Sequence, residues 1–258
     1  MMTPHWLARL GRVICVFLFT LNATAATAET PIGSVVESRV LVGLTVAPDK
    51  MNAAMPEGWA SVPFPAGPFK GANAMVSFLD GHLVLDAGGN PATPAQRTTA
   101  ALLGLGKPPQ SKDVRLFILK VYTDDPEANR YGSTHTASVT RSRTLSGSSD
   151  GPRRLTERWT VAPEIGGEIS LDLSYTLGTP RWGTGSSEGF SAEDTDFHVT
   201  QTYEQMADVA MSVAMGKPLD GEITLDATAA GLAALFDGQQ EIVAVVNIPY
   251  YRRALSIP

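Results

Sequence analysis

Cysteine is nearly absent from the 258-residue chain, and Cys15 is the only one. One thiol can build neither a disulfide framework nor a thiolate metal site. Charge is scarce too: Asp, Glu, Lys and Arg make up 18% of the residues, against about 25% in an ordinary globular protein. With 20 basic and 26 acidic side chains, net −6, there is no positive excess to neutralise a phosphate backbone, which argues against nucleic acid as a partner. No apolar run approaches the ~20 residues of a membrane-spanning helix. What is present is a 43% hydrophobic fraction with 24 Gly and 18 Pro, the mark of a turn-rich globular protein with a sizeable core rather than a disordered one.

Residues 1–28 read as a secretory leader. Arg9 and Arg12 give a positive start, 13–21 is a nine-residue apolar centre, and Ala26-Thr27-Ala28 is a small-x-small cleavage site. Cleavage removes two arginines, no acid and the only cysteine, so the mature net charge is −8. The expectation is an exported chain, periplasmic or extracellular, thiol-free and with no integral membrane span once the leader is gone. The bland rival is an uncleaved anchor.

Residues 29–258 show no composition break or internal repeat, so one β-rich domain is expected. Residues 35–46, 72–79, 82–86, 114–122, 137–143, 197–202, 221–226 and 241–248 read as strands from their β-branched and aromatic content. Asp80-Gly81 between apolar runs predicts a hairpin turn, and Pro249 predicts the end of the last strand. Residues 49–55, 93–105, 203–215 and 229–236 read as short helices, and the Gly/Ser/acid-rich stretch 183–196 as a mobile loop.

The clearest pattern is a hairpin. Leu155, Glu157, Trp159 and Val161 share one strand face; Ile169, Leu171, Leu173, Tyr175 and Leu177 alternate strictly with polar residues on the next. Arginines on the first polar face oppose carboxylates on the second. The predicted fold class is mainly β with a few short helices (α+β), an antiparallel or cone-like β-barrel with an internal pocket; a two-sheet sandwich is the alternative.

Motifs for chemistry are sparse. His82, His135 and His198 form no ligand pair, and the acidic turn 194–198 lacks the further oxygens of a calcium loop. No metal or cofactor is expected. Gly185-Ser186-Ser187-Glu188-Gly189 has the letters of a nucleophile elbow without the flanking strand and helix. Gly106-Lys107-Pro108 lacks the Ser or Thr of a phosphate loop.

Of six lysines, Lys50, Lys107, Lys112 and Lys217 read as solvated, and Lys70 as a weak candidate. Strict alternation puts Lys120 with Val114, Leu116, Ile118 and Tyr122 on an apolar strand face. Dehydration there favours the neutral amine, the form that builds an imine; snorkelling to water is the alternative. Lys120 is the candidate catalytic residue. Tyr122, Trp159, Tyr250 and Arg252 are candidate ligand-binding residues, the last two because an arginine fork beside tyrosines suits a carboxylate at a pocket mouth. Trp59, Trp159 and Trp182 read also as core or rim anchors.

The order of segments resembles acetoacetate decarboxylase-like proteins. A strand ending at Val46 is followed by Met55-Pro56-Glu57-Gly58-Trp59, then the 72–79 strand, and the chain closes on Val243-Ala244-Val245-Val246-Asn247-Ile248-Pro249-Tyr250-Tyr251-Arg252. The resemblance implies a cone-shaped barrel around a buried pocket. In that family an adjacent lysine depresses the pKa of the reactive one, and this chain has no two consecutive lysines, so decarboxylation does not follow with the fold. Three functions are expected in order: binding of a small, partly apolar molecule; a Schiff-base or carboxylate enzyme on the same scaffold, using Lys120 or one of Glu157, Glu168 and Asp172; and a non-catalytic envelope interaction module.

Overall fold

The computed structural model describes residues 29–258; the leader read at 1–28 lies outside the described residues. Twelve strands and one α-helix follow in the order β1 (Thr30–Thr45), α1 (Pro48–Ala54), β2 (Ala60–Val62), β3 (Ala74–Leu85), β4 (Arg97–Lys107), β5 (Arg115–Thr123), β6 (Thr134–Ser146), β7 (Arg154–Pro163), β8 (Ile169–Thr176), β9 (Arg181–Ser191), β10 (His198–Ser212), β11 (Gly221–Ala227) and β12 (Glu241–Ile257), with three short 3-10 turns. The chain is therefore mostly β, and no described helix is long and apolar enough to cross a membrane.

The strands form one sheet that forks at β5. Pairing runs β5-β9-β10-β12-β1-β3-β4, and β4 pairs with β5 again, so seven strands make a hydrogen-bonded circuit. On the same edge as β9, the C-terminal end of β5 pairs with β6, which leads through β7 and β8 to β11. Both contacts at the fork, β5 with β6 and β5 with β9, are parallel, a departure from the expected antiparallel arrangement.

The four-stranded branch lies over one outer face of the circuit, and the apolar core fills the space between them. From the circuit come Val40, Val42, Leu44, Val76, Phe78, Leu102, Phe117 and Tyr122; from the branch come Leu155, Trp159, Val161, Ile169, Leu171, Leu173 and Tyr175. The alternation read in 155–177 is thus the core face of β7 and β8, and Arg158 meets Asp172 across the pair as expected. Helix α1 begins on Pro48 with Asp49 in its first turn, both favourable there. It buries Met51, whose methyl group occupies the space where a Cβ on Gly104 would sit.

Several expected elements differ. Residues 97–107 are β4, not a helix: Ala100 and Leu102 face the core while Ala101 and Leu103 face the other way, so a strand apolar on both sides imitates a helical run. Residues 198–212 are β10, not a strand followed by a helix: every second residue from Val199 to Val209 faces the inside of the circuit, while apolar side chains on both faces hide that alternation in the sequence. The stretch 183–196 is largely β9, paired along its length with β10. Asp80-Gly81 makes no turn; β3 runs through it with a bulge against β1. Pro249 does not end β12, which absorbs it at another register shift. The helix expected at 229–236 is reduced to a 3-10 turn at Ala233–Leu235.

Candidate functional site

The inward face of the circuit lines a cavity of about 1160 Å³. Its walls divide into two layers by register. Leu41, Met75, Ala101, Leu103, Ile118, Val209 and Val246 make an apolar zone. One step further along the same strands, Glu37, Arg39, Arg97, Gln201, Tyr203, Tyr251 and Arg253 make a polar belt, with Tyr131 of the β5–β6 loop beside it.

Glu37 is the centre of the belt and only 2% exposed. Arg39 Nε donates to its Oε1, Arg253 Nη2 donates to its Oε2 at 3.2 Å, and Arg253 Nη1 donates to Gln201 Oε1 at 3.2 Å. The Arg39 guanidinium lies over the Tyr251 ring at 3.6 Å, and Tyr251 stacks on Tyr203 with centroids 5.1 Å apart. Two arginines thus share one carboxylate, and Arg39 Nη2 and Arg253 Nε stay buried without an acceptor.

The electrostatics follow from this packing. Burial opposes ionisation of Glu37, but Arg253 and then Arg39 outweigh it and hold its carboxyl below the usual range. Burial also opposes the charge on Arg253, which Glu37 restores, leaving its pKa raised. Arg97, dehydrated and repelled by Arg253, is pushed down. Burial pushes Tyr131 and Tyr251 up, so both hydroxyls remain donors at neutral pH. The belt keeps a positive excess in a dehydrated space, an arrangement suited to an anion.

The residues singled out from the sequence lie elsewhere. None of the six lysines lines this cavity. A bulge at Leu119, where Leu102 pairs with Lys120 but Leu103 with Ile118, reverses the alternation of β5. Leu116, Ile118, Val121 and Thr123 face the cavity. Lys120 and Tyr122 face the other way: Lys120 Nζ donates to Ser133 Oγ at 2.6 Å, and the fully buried Tyr122, its pKa pushed by burial up to about 12, donates to the Ala230 carbonyl.

Trp159 is a core residue with no exposure, and its Nε1–H donates to Glu157 at 2.7 Å. The register shift near Pro249 likewise turns Tyr251 and Arg253 inward and leaves Tyr250 and Arg252 outside. Tyr250 stacks on the exposed Trp182, and Arg252 pairs with Glu204 at 3.3 Å. The structure therefore brings none of Lys120, Tyr122, Trp159, Tyr250 and Arg252 to the cavity.

Among the carboxylates, Glu157 is buried and paired with Arg141, while Glu168 and Asp172 are exposed. The elbow-like Ser187 sits mid-strand and accepts from Gln201 at 2.7 Å. Sequence reasoning missed Glu37, Arg39, Arg97, Tyr131, Tyr251 and Arg253. One signal was available: Glu37 and Arg39 sit two apart inside an apolar β-branched run, a costly placement unless the charges are paired.

No protein-family model matches the chain, and no curated protein matches it in sequence. Its fold does match solved structures. An acetoacetate decarboxylase-like enzyme from Sphingomonas wittichii RW1 is similar with a TM-score of 0.56 at 15% identity, over 90% of this chain and 94% of that one. The enduracididine biosynthesis enzyme MppR in complex with pyruvate is similar with a TM-score of 0.50 at 12% identity, over 96% of each chain. MppR with the condensation product of pyruvate and imidazole 4-carboxaldehyde gives 0.51 at 12% identity, over 96% of this chain and 95% of that one. Likeness at this identity establishes the fold.

Proposed function

We propose that this chain, built on the acetoacetate decarboxylase-like fold, binds a small carboxylic acid with an apolar body inside the strand circuit, which acts as a barrel around the ligand. The carboxylate takes the free donors of Arg39 and Arg253, and the apolar body lies along Leu41, Leu103, Ile118 and Val246. The observation that carries this reading is the pair of buried arginine donors left over after Glu37 is satisfied. Unpaired buried donors cost free energy that an anionic ligand restores. The pyruvate in one fold neighbour is consistent with a ligand of this kind.

An enzyme on this scaffold is the second reading, favoured by the condensation product held by a neighbour. Without a lysine in the cavity, its acid–base group would be Glu37 rather than an imine-forming amine.

Isothermal titration with pyruvate and 4-methyl-2-oxopentanoate tests the proposal. Saturable binding is expected, tighter for the branched acid. Borohydride added with pyruvate is expected to leave the protein mass unchanged. A stable adduct that disappears in Lys120→Ala would instate the imine reading and overturn this one.

Export is part of the same proposal and rests on the residue pattern at 1–28. Expressed at full length in a Gram-negative host, the protein is expected in the periplasmic fraction with Glu29 as its first residue. Retention in the cytoplasm with an intact leader would refute export.

A further inference from the structure

A second crevice of about 420 Å³ opens between the circuit and the four-stranded branch. Its floor is the β10–β12 pair, where Asp208 and Asn247 are direct cross-strand partners on the outward face. Such partners hold their Cβ atoms roughly 5 Å apart. Both are deeply buried, at 3% and 1% exposure.

Asp208 Oδ2 accepts from the Tyr175 hydroxyl at 3.1 Å and the Gly178 N–H at 2.9 Å. Burial and then Asp208 push the Tyr175 pKa up, so that hydroxyl stays a donor. Asp208 Oδ1 has only Lys217 Nζ at 3.9 Å, beyond hydrogen-bond reach. The backbone comes this close because residue 178 is glycine; a Cβ there would lie 2.6 Å from Oδ1. Asn247 Oδ1 is buried with no donor at all. Two underused acceptors therefore meet in one crevice.

The same crevice also carries the other sign. The exposed Arg143 and Arg153 line the crevice, with Arg143 only loosely held by Glu157 at 3.6 Å. Leu145, Leu177, Met206 and Pro249 supply apolar surface in the same crevice. We propose that this crevice binds an apolar α-amino acid, its ammonium on Asp208 Oδ1 and Asn247 Oδ1, its carboxylate on Arg143 and Arg153, and its side chain against the apolar lining. A primary ammonium suits the floor because its three donors can serve both acceptors at once. This site is separate from the circuit cavity and does not depend on it.

Titration of L-leucine into the purified protein tests the proposal. Leucine is expected to bind, and leucinamide, which lacks the carboxylate, about tenfold more weakly. Leu145 is a half-exposed rim residue, so Leu145→Trp fills the crevice without disturbing the core. That variant is expected to abolish leucine binding and leave 4-methyl-2-oxopentanoate binding unchanged. Arg253→Met, in the circuit cavity, is expected to do the reverse. No saturable leucine binding, leucine binding unaffected by Leu145→Trp, or leucine binding lost in Arg253→Met would each overturn the second site.

Discussion

Trp159→Ala is expected to destabilise the protein by about 3–5 kcal/mol, the usual cost of deleting a large buried aromatic side chain. The ring is fully buried, packs on Phe78 at 5.6 Å, and lies under the Arg141 guanidinium at 4.8 Å. Its Nε1–H serves Glu157 Oε1, which is also held by Arg141 at 2.8 Å. Arg141 in turn reaches Asp80 at 2.7 Å and Ser38 at 2.6 Å on the circuit. Trp159 is therefore a bolt between the two halves of the fold.

Trp159→Phe, which keeps a ring and loses the indole donor, is expected to cost roughly half as much or less. Urea unfolding followed by circular dichroism measures both. At temperatures where Trp159→Ala is still folded, its affinity for 4-methyl-2-oxopentanoate should equal that of the parent, since the side chain does not reach the cavity. Normal stability with lost affinity would return Trp159 to the ligand site.

Arg253→Met is expected to weaken 4-methyl-2-oxopentanoate binding by about a hundredfold, the effect of removing one partner of a buried charge-assisted contact. Glu37→Gln should act in the opposite direction and tighten binding, because it releases the donors that Glu37 now occupies. A merely structural role for the cluster would predict loss in both.

The two variants also separate by pH. The Glu37 pKa is lowered in the folded state, so its ionised form stabilises the fold above the ordinary carboxyl value. That stability disappears as pH falls through the lowered value. Removing Arg253 takes away the largest stabiliser of the charge, so acid unfolding should begin at higher pH in Arg253→Met. Glu37→Gln should lack this component of the acid transition altogether. Circular dichroism titration from neutral to acid pH reads both.

How much of this was legible beforehand differs from strand to strand. On β7 and β8 no bulge intervenes, and one face meets the core while the other meets water, so period-two alternation translated directly into Leu155, Trp159, Leu171 and Tyr175 inside and Arg158 opposite Asp172 outside. On β5 the same rule led to Lys120 and Tyr122, and on β12 residue chemistry led to Tyr250 and Arg252; in each strand a single extra residue reverses every side chain beyond it. Tyr251 and Arg253 stood one position away from the residues chosen. On β4 and β10 the rule pointed to helices, since strands with apolar residues on both faces lose the polar–apolar contrast that identifies them.

The amino-acid sequence by itself determined that residues 29–258 contain no thiol, that β-rich elements dominate, that a short helix lies near 49–55, and that the resemblance to acetoacetate decarboxylase-like proteins reaches as far as the fold. Only the tertiary structure decided which charged side chains meet. Glu37 and Arg253 are 216 residues apart in the chain and become partners because β1 and β12 are neighbours in the circuit. Local periodicity reports which way a side chain points relative to its own strand. It carries no information about bulges imposed by a neighbour's register, or about which distant charge closes across a cavity.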